Sequence, residues 1–118
     1  LIVVATSGLN QCQYCVVAHG AILRIRAKNP LIADQVAVNW RKADLEPRER
    51  AMLAYAEKVA LNAQQIGEAD HATLREAGFS PDEIWDIGAI AAFFGMSNRL
   101  VNAGDIRPND EFYLLGRM

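Results

Sequence analysis

Only two cysteines occur in the 118 residues, too few for the disulfide framework of a small secreted domain. No run of Lys or Arg appears and the formal charge is -2, so the chain lacks the electrostatic footprint of a nucleic-acid binder. A Gly-rich phosphate loop and a G-x-S-x-G elbow are also absent. Residues 1–23 contain no Asp, Glu, Lys or Arg. Yet Ser7, Gly8, Asn10, Gln11, Gln13 and His19 interrupt that stretch, and a spanning helix needs roughly 20 predominantly apolar residues. A secretory leader would begin with basic residues, and none is there. The chain opens on Leu1 in mid-run without an initiator Met, which reads as a piece of a longer protein. Cytoplasm is the expected compartment, with neither membrane nor nucleic acid as a partner.

What is present reads as helices joined by short turns. Hydrophobic residues make up 52% of the chain, enough for one core, so residues 1–118 are expected to form a single domain. Leu1–Ser7 looks like the end of a helix that Gly8 stops, and Asn10 is the expected N-cap of the next, from about Gln11 to Lys28. Pro30 opens another helix, to which Leu31, Ile32, Val36 and Val38 bring apolar contacts. Pro47 starts an amphipathic helix with Met52, Leu53, Ala56, Val59 and Ala60 at helical spacing. Asp70–Ala77 forms a shorter one, ended by Gly78. Ser80, Pro81 and Glu83 then open a long helix as a capping box would.

That last helix has no charge between Asp86 and Arg99 and is apolar on nearly every side, which predicts a partner subunit over part of it. The tail from Gly104 to Met118 is expected to pack on its own domain or on a neighbour. No strand alternation and no repeat is found, so the fold class is all-α.

The chemistry concentrates in "NQCQYCVVAHG". On a helix, Cys12, Cys15 and His19 fall within about 60° of one another, on one face. Unpaired backbone N–H groups and the helix dipole favour an anion in the first turn, where Cys12 is expected. His19, four residues beyond Cys15, is spaced to take its proton or to stabilise its thiolate. A second thiol beside a sulfenic acid converts it to a disulfide before further oxidation.

Competing readings fit less well. Structural zinc would need two more ligands, and only His19 and distant His71 remain. Val16 follows Cys15, which excludes a C-x-x-C-H haem attachment, and a thioredoxin site belongs with a βαβ pattern. Two buried structural cysteines with a satisfied histidine are the plain alternative, which the shared helix face disfavours. His71 reads as solvated, Trp40, Trp85, Phe93 and Phe94 as core, and Asn98 and Arg99 as caps or binding groups. Asp82, Glu83 and Asp86 are explained as helix-start charges.

The segment "SGLNQCQYCVVAHGAILR" resembles the core motif of the alkylhydroperoxidase D-like proteins, within the carboxymuconolactone decarboxylase superfamily, and more narrowly their uncharacterised peroxidase-related group. The likeness continues through "DQVAVNWRKADLEPRERAMLAYAEKVA", "GFSPDEIWDIGAIAAFFGMSNRL" and "RPNDEFYLLGR". It implies an all-helical homo-oligomer, a trimer or hexamer, that reduces hydroperoxides with an external dithiol, possibly lipoyl-type, and needs no cofactor or metal. It also implies Cys15 as the peroxidatic thiol, Cys12 as the resolving thiol and His19 in the proton relay. The family's relay glutamate would fall just ahead of Leu1. Some members place a histidine directly before the second cysteine, where this chain has Tyr14; a phenol of pKa about 10 is a poor shuttle at neutral pH. The alternative functions are a redox sensor or a general disulfide oxidoreductase built on the same dithiol.

Overall fold

Proline and a capping side chain start the two longest helices. The helix Pro47–Asn62 follows Glu46, whose backbone N–H donates to Glu49 Oε1 at 2.9 Å. The helix Pro81–Ala103 follows Ser80, whose Oγ accepts from the Glu83 N–H at 3.1 Å while the Ser80 N–H donates to Glu83 Oε1 at 2.9 Å. In the computed structural model, which describes residues 1–118, the full set is Ile2–Leu9 (α1), Gln13–Ala27 (α2), Ile32–Asn39 (α3), Pro47–Asn62 (α4), Glu68–Glu76 (α5) and Pro81–Ala103 (α6). Short 3-10 turns occupy Trp40–Lys42, Ala63–Gln65 and Asp110–Tyr113, and the chain contains no strand. The all-α expectation is met.

Four helices end in one way. After α1, Gln11 N–H donates to Gly8 O and Cys12 N–H to Ser7 O, with Gln11 at φ 52°. The same paired bonds follow α2 at Lys28, α5 at Gly78 and α6 at Asp105. These are Schellman closures, and three of the four put a side chain where glycine is favoured. The α1 terminus therefore differs from its expected form. Gly8 lies inside the helix, and Gln11 supplies the left-handed residue. Asn10 consequently caps α1, and α2 starts two residues later than its spacing predicts, at Gln13, with Cys12 as N-cap.

The short α1 is the hub, packed against α2, α3, α4 and α6. Its Val4 and Ala5 join Ile32 and Val36 of α3, Leu53 of α4, Trp40 and Ala43 in the main core cluster. Leu53 is fully buried, and that burial stabilises the fold by about 1.5–3 kcal/mol relative to exposure. Ala56, Ile87 and Ala91 form a smaller cluster between α4 and α6. Gly8 permits the close crossing of α1 over α3: a Cβ there would lie 2.2 Å from Ala37 O.

The tail folds back on its own domain. Arg24 of α2, 2% exposed, donates from Nε to Leu115 O at 2.8 Å and from Nη2 to Phe112 O at 3.1 Å. Arg117 completes the clamp on Asp34 at 2.8 Å. Two aromatic positions depart from the expected core: Trp85 and Phe93 are exposed on α6, alongside Met96 and Leu100. Leu31 and Val38 are exposed as well. A six-helix domain of this size has too little interior to enclose α6 on every side. Nor is any helix long and apolar enough to cross a membrane.

Candidate active site

The turn between α1 and α2 carries the dithiol. Gln11 turns the chain so that Cys12 ends the closure of α1 and begins α2 in the same step. The Cys12 Sγ lies 3.4 Å from the Cys15 backbone N–H, where it accepts as an N-cap. Its own thiol donates to Cys15 Sγ, with the sulfurs 2.6 Å apart. A disulfide needs about 2.0 Å, so bridge formation asks for little motion. Both cysteines are free and buried.

Burial pushes the Cys15 thiol up to about 11, and the hydrogen bond and charge of Cys12 add to it. Hydrogen bonding from Asn98 and Ser7 pulls the other way.

His19 stands one turn beyond Cys15 on the same helix. Its ring meets Phe94 edge-on, with centroids 5.2 Å apart and planes at 85°. Burial draws the imidazole pKa below its ordinary value, which keeps the ring neutral and able to accept a proton at pH 7. No hydrogen bond joins it to either sulfur. The helix thus carries Cys15 and His19 one turn apart, with Cys12 as its N-cap, but no hydrogen bond ties the imidazole to the thiols.

Asn98, read from the sequence as a cap or binding group, stands beside this turn with Ser7, a neighbour that spacing did not reveal. Asn98 of α6, 0% exposed, donates from Nδ2 to Ser7 Oγ at 3.0 Å, and its Oδ1 accepts from Asn10 Nδ2 at 3.1 Å. Asn102, one turn on, reaches Asn10 O at 3.3 Å. The available signal was an asparagine pair at helical spacing, just after the apolar run of α6.

Both cysteines are closed off from solvent, at 0% exposure for Cys12 and 2% for Cys15. Cys12 lines an open cleft of about 310 Å³ with Gly8, Gln11, Gln13, Val16, Val17, Ala37 and Val38, and Cys15 lines none of the principal clefts. His71, expected in solvent, sits half-exposed beside Tyr55, with Nε2 3.4 Å from the phenol oxygen.

Comparison with solved structures gives this geometry its context. The chain superposes with a TM-score of 0.97 on a crystal structure described as the alkylhydroperoxidase AhpD core, an uncharacterized peroxidase-related protein from Ralstonia eutropha JMP134. The two are 62% identical over 99% of this chain and 62% of that one. The fold is that of the alkylhydroperoxidase AhpD core. An uncharacterized peroxidase-related protein from Silicibacter sp. TM1040 superposes with a TM-score of 0.93, at 40% identity over 95% of this chain and 59% of that one. The chain therefore spans about three fifths of the length of either relative. No protein-family model and no curated protein matches it. The AhpD-like resemblance carried by the cysteine segment is met by both structures.

Proposed function

We propose that this AhpD-like domain is a thiol-dependent peroxidase that reduces hydroperoxides through Cys12 and Cys15. The observation carrying the reading is the buried pair of free thiols, with sulfurs 2.6 Å apart, in a domain so similar to peroxidase-related proteins. The cycle begins when the Cys15 thiolate attacks the terminal peroxide oxygen. The O–O bond breaks, the leaving alkoxide takes a proton to become alcohol, and Cys15 becomes a sulfenic acid. The Cys12 sulfur displaces the hydroxyl, which leaves as water after protonation, and the Cys12–Cys15 disulfide forms. An external dithiol then reduces that bridge by two exchanges and is itself oxidised to a disulfide.

His19, kept neutral by its burial, serves as proton acceptor and donor for the dithiol through water. The reductant is of the lipoyl type. In the same reading the protein works in the cytoplasm as a homo-oligomer, a trimer or hexamer, with a second copy over Trp85, Phe93, Met96 and Leu100.

Peroxide consumption by stopped flow tests the reading. Cys15→Ser should abolish turnover, and Cys12→Ser should give one round of oxidation and then stall. A Cys15→Ser protein with substantial residual turnover would remove Cys15 from the attacking role. The open cleft beside Cys12 favours a second reading, a general disulfide oxidoreductase in which the partner's thiol approaches Cys12. That reading gains if the bridge exchanges rapidly with small disulfides while peroxide oxidises it no faster than a free thiol.

A further inference from the structure

Two asparagines one turn apart on α6 face the turn that carries the dithiol, and neither has a part in the peroxide chemistry. Asn98, 0% exposed, has both ends of its amide engaged. Its Oδ1 accepts from Asn10 Nδ2 at 3.1 Å, and its Nδ2 donates to Ser7 Oγ at 3.0 Å. Asn102 Nδ2 donates to Asn10 O at 3.3 Å and to Gln11 O at 3.5 Å. Those carbonyls belong to the two peptide groups on either side of the Gln11 Cα. Residues 7, 10 and 11 are thus each held from α6.

The turn needs such holding. Gln11 adopts the left-handed conformation, at φ 52°, which is disfavoured for a residue with a Cβ and persists only where its surroundings over-determine it. Cys12 follows directly, and its N–H donates to Ser7 O at 3.0 Å. Cys15 lies within α2, whereas Cys12 stands ahead of it as the N-cap. The 2.6 Å between their sulfurs is therefore set by the backbone of the turn and not by α2 alone.

We propose that Asn98 and Asn102 are positioning residues, a clamp from α6 that keeps Cys12 against Cys15 in the reduced protein and so favours formation of the bridge. The clamp reaches the sulfurs only through the backbone of the turn. A disulfide restricts this turn with or without the asparagines, but the dithiol form is restricted by the asparagines alone. Without them the reduced turn gains conformations that bridge closure must remove again, and that ordering opposes oxidation. With a small disulfide as oxidant, two S–H bonds at the pair and one S–S bond in the reagent break. The Cys12–Cys15 bond and two small thiols form, so two electrons and two protons pass from the pair to the reagent.

The inference rests on the redox reading of the pair, but its test needs no peroxide. The parent, Asn102→Ala and Asn98→Ala are equilibrated in glutathione and dithiothreitol redox buffers, and the dithiol fraction is read by alkylation and mass spectrometry. Each variant should lower the equilibrium constant for bridge formation by about fivefold, which makes the potential less negative by about 20 mV. Leu74→Val, a truncation of the buried core in α5, should weaken the fold and leave that constant within twofold of the parent. A constant within twofold of the parent in Asn102→Ala overturns the clamp. An equal shift in Leu74→Val overturns it too, since general loosening would then account for the effect. Asn102 is exposed, so its truncation decides the matter if Asn98→Ala does not fold. Failure of the peroxidase reading shows separately, as absent peroxide turnover in a parent protein whose pair still forms the bridge in these buffers.

Discussion

Gly8→Ala is the most demanding substitution for the architecture around the dithiol. Within a helix, Ala is normally favoured over Gly by about 0.5–1 kcal/mol. Here the added methyl would lie 2.2 Å from Ala37 O, 3.0 Å from Ala37 C and 3.1 Å from Ala37 Cα. All three atoms are backbone of α3, so no side-chain rotation relieves the clash. The helices must separate by most of an ångström, and that opens the contact of Val4 and Ala5 with Ile32 and Val36. Overpacking of this kind costs typically about 1–3 kcal/mol, and the absence of any yielding side chain puts Gly8 at the upper end.

At 118 residues the unfolding entropy makes each kcal/mol worth about 4 °C, so a melting temperature lower by roughly 10 °C is expected. Gly20→Ala is the internal control. Its methyl would meet Ala33 Cβ and Arg24 Nη1 at 3.4 Å, ordinary contact, so the helix preference for Ala should leave stability unchanged or slightly raised. Calorimetry of both variants checks the reasoning. A Gly8→Ala protein that melts within a degree of the parent would refute the claim that this glycine sets the α1–α3 distance.

Two further outcomes follow from groups described above. Burial lowers the His19 pKa, so the unfolded chain binds a proton here more readily than the fold does. Stability should fall as pH drops below the ordinary histidine value of about 6.5 and level off below the folded pKa. A series of melting temperatures from pH 8 to 4 would show it, and His19→Gln should flatten that part of the curve; an identical curve in the variant would contradict it. Arg24→Met should release the tail by removing the donors to Leu115 O and Phe112 O. Limited proteolysis would then cut within residues 104–118 at least tenfold faster than in the parent, a factor equivalent to about 1.4 kcal/mol of local opening. Equal cutting rates would mean that Arg117 and Asp34 hold the tail alone.

Much of this architecture was legible from local chemistry. Ser80, Pro81 and Glu83 announce the start of α6 because each satisfies the same first turn, and Pro47 does so for α4. The cysteine–histidine segment was visible because its members lie within one helix. The start of α2 was misplaced because a glutamine, not a glycine, takes the left-handed position after α1, and because cysteine is not a usual capping residue. The meeting of Ser7 and Asn98 was hidden for a different reason. They meet across 91 positions of chain, and only the packing of α6 against α1 joins them. That α6 would keep part of its apolar surface outside the core was legible, but not that Trp85 and Phe93 would lie on that part, since composition does not say which side faces the interior.

The placement of both cysteines in a single turn also decides what oxidation does to the rest of the molecule. A cross-link between Cys12 and Cys15 encloses only Gln13 and Tyr14, so it removes very few conformations from the unfolded chain. The bridge joins no two helices and ties no distant segments together. Oxidised and reduced forms should therefore differ little in stability and share one scaffold. In the proposed cycle, the dithiol would take up and give back electrons many times while six helices stand still around it, a carrier of redox equivalents rather than a lock on the fold.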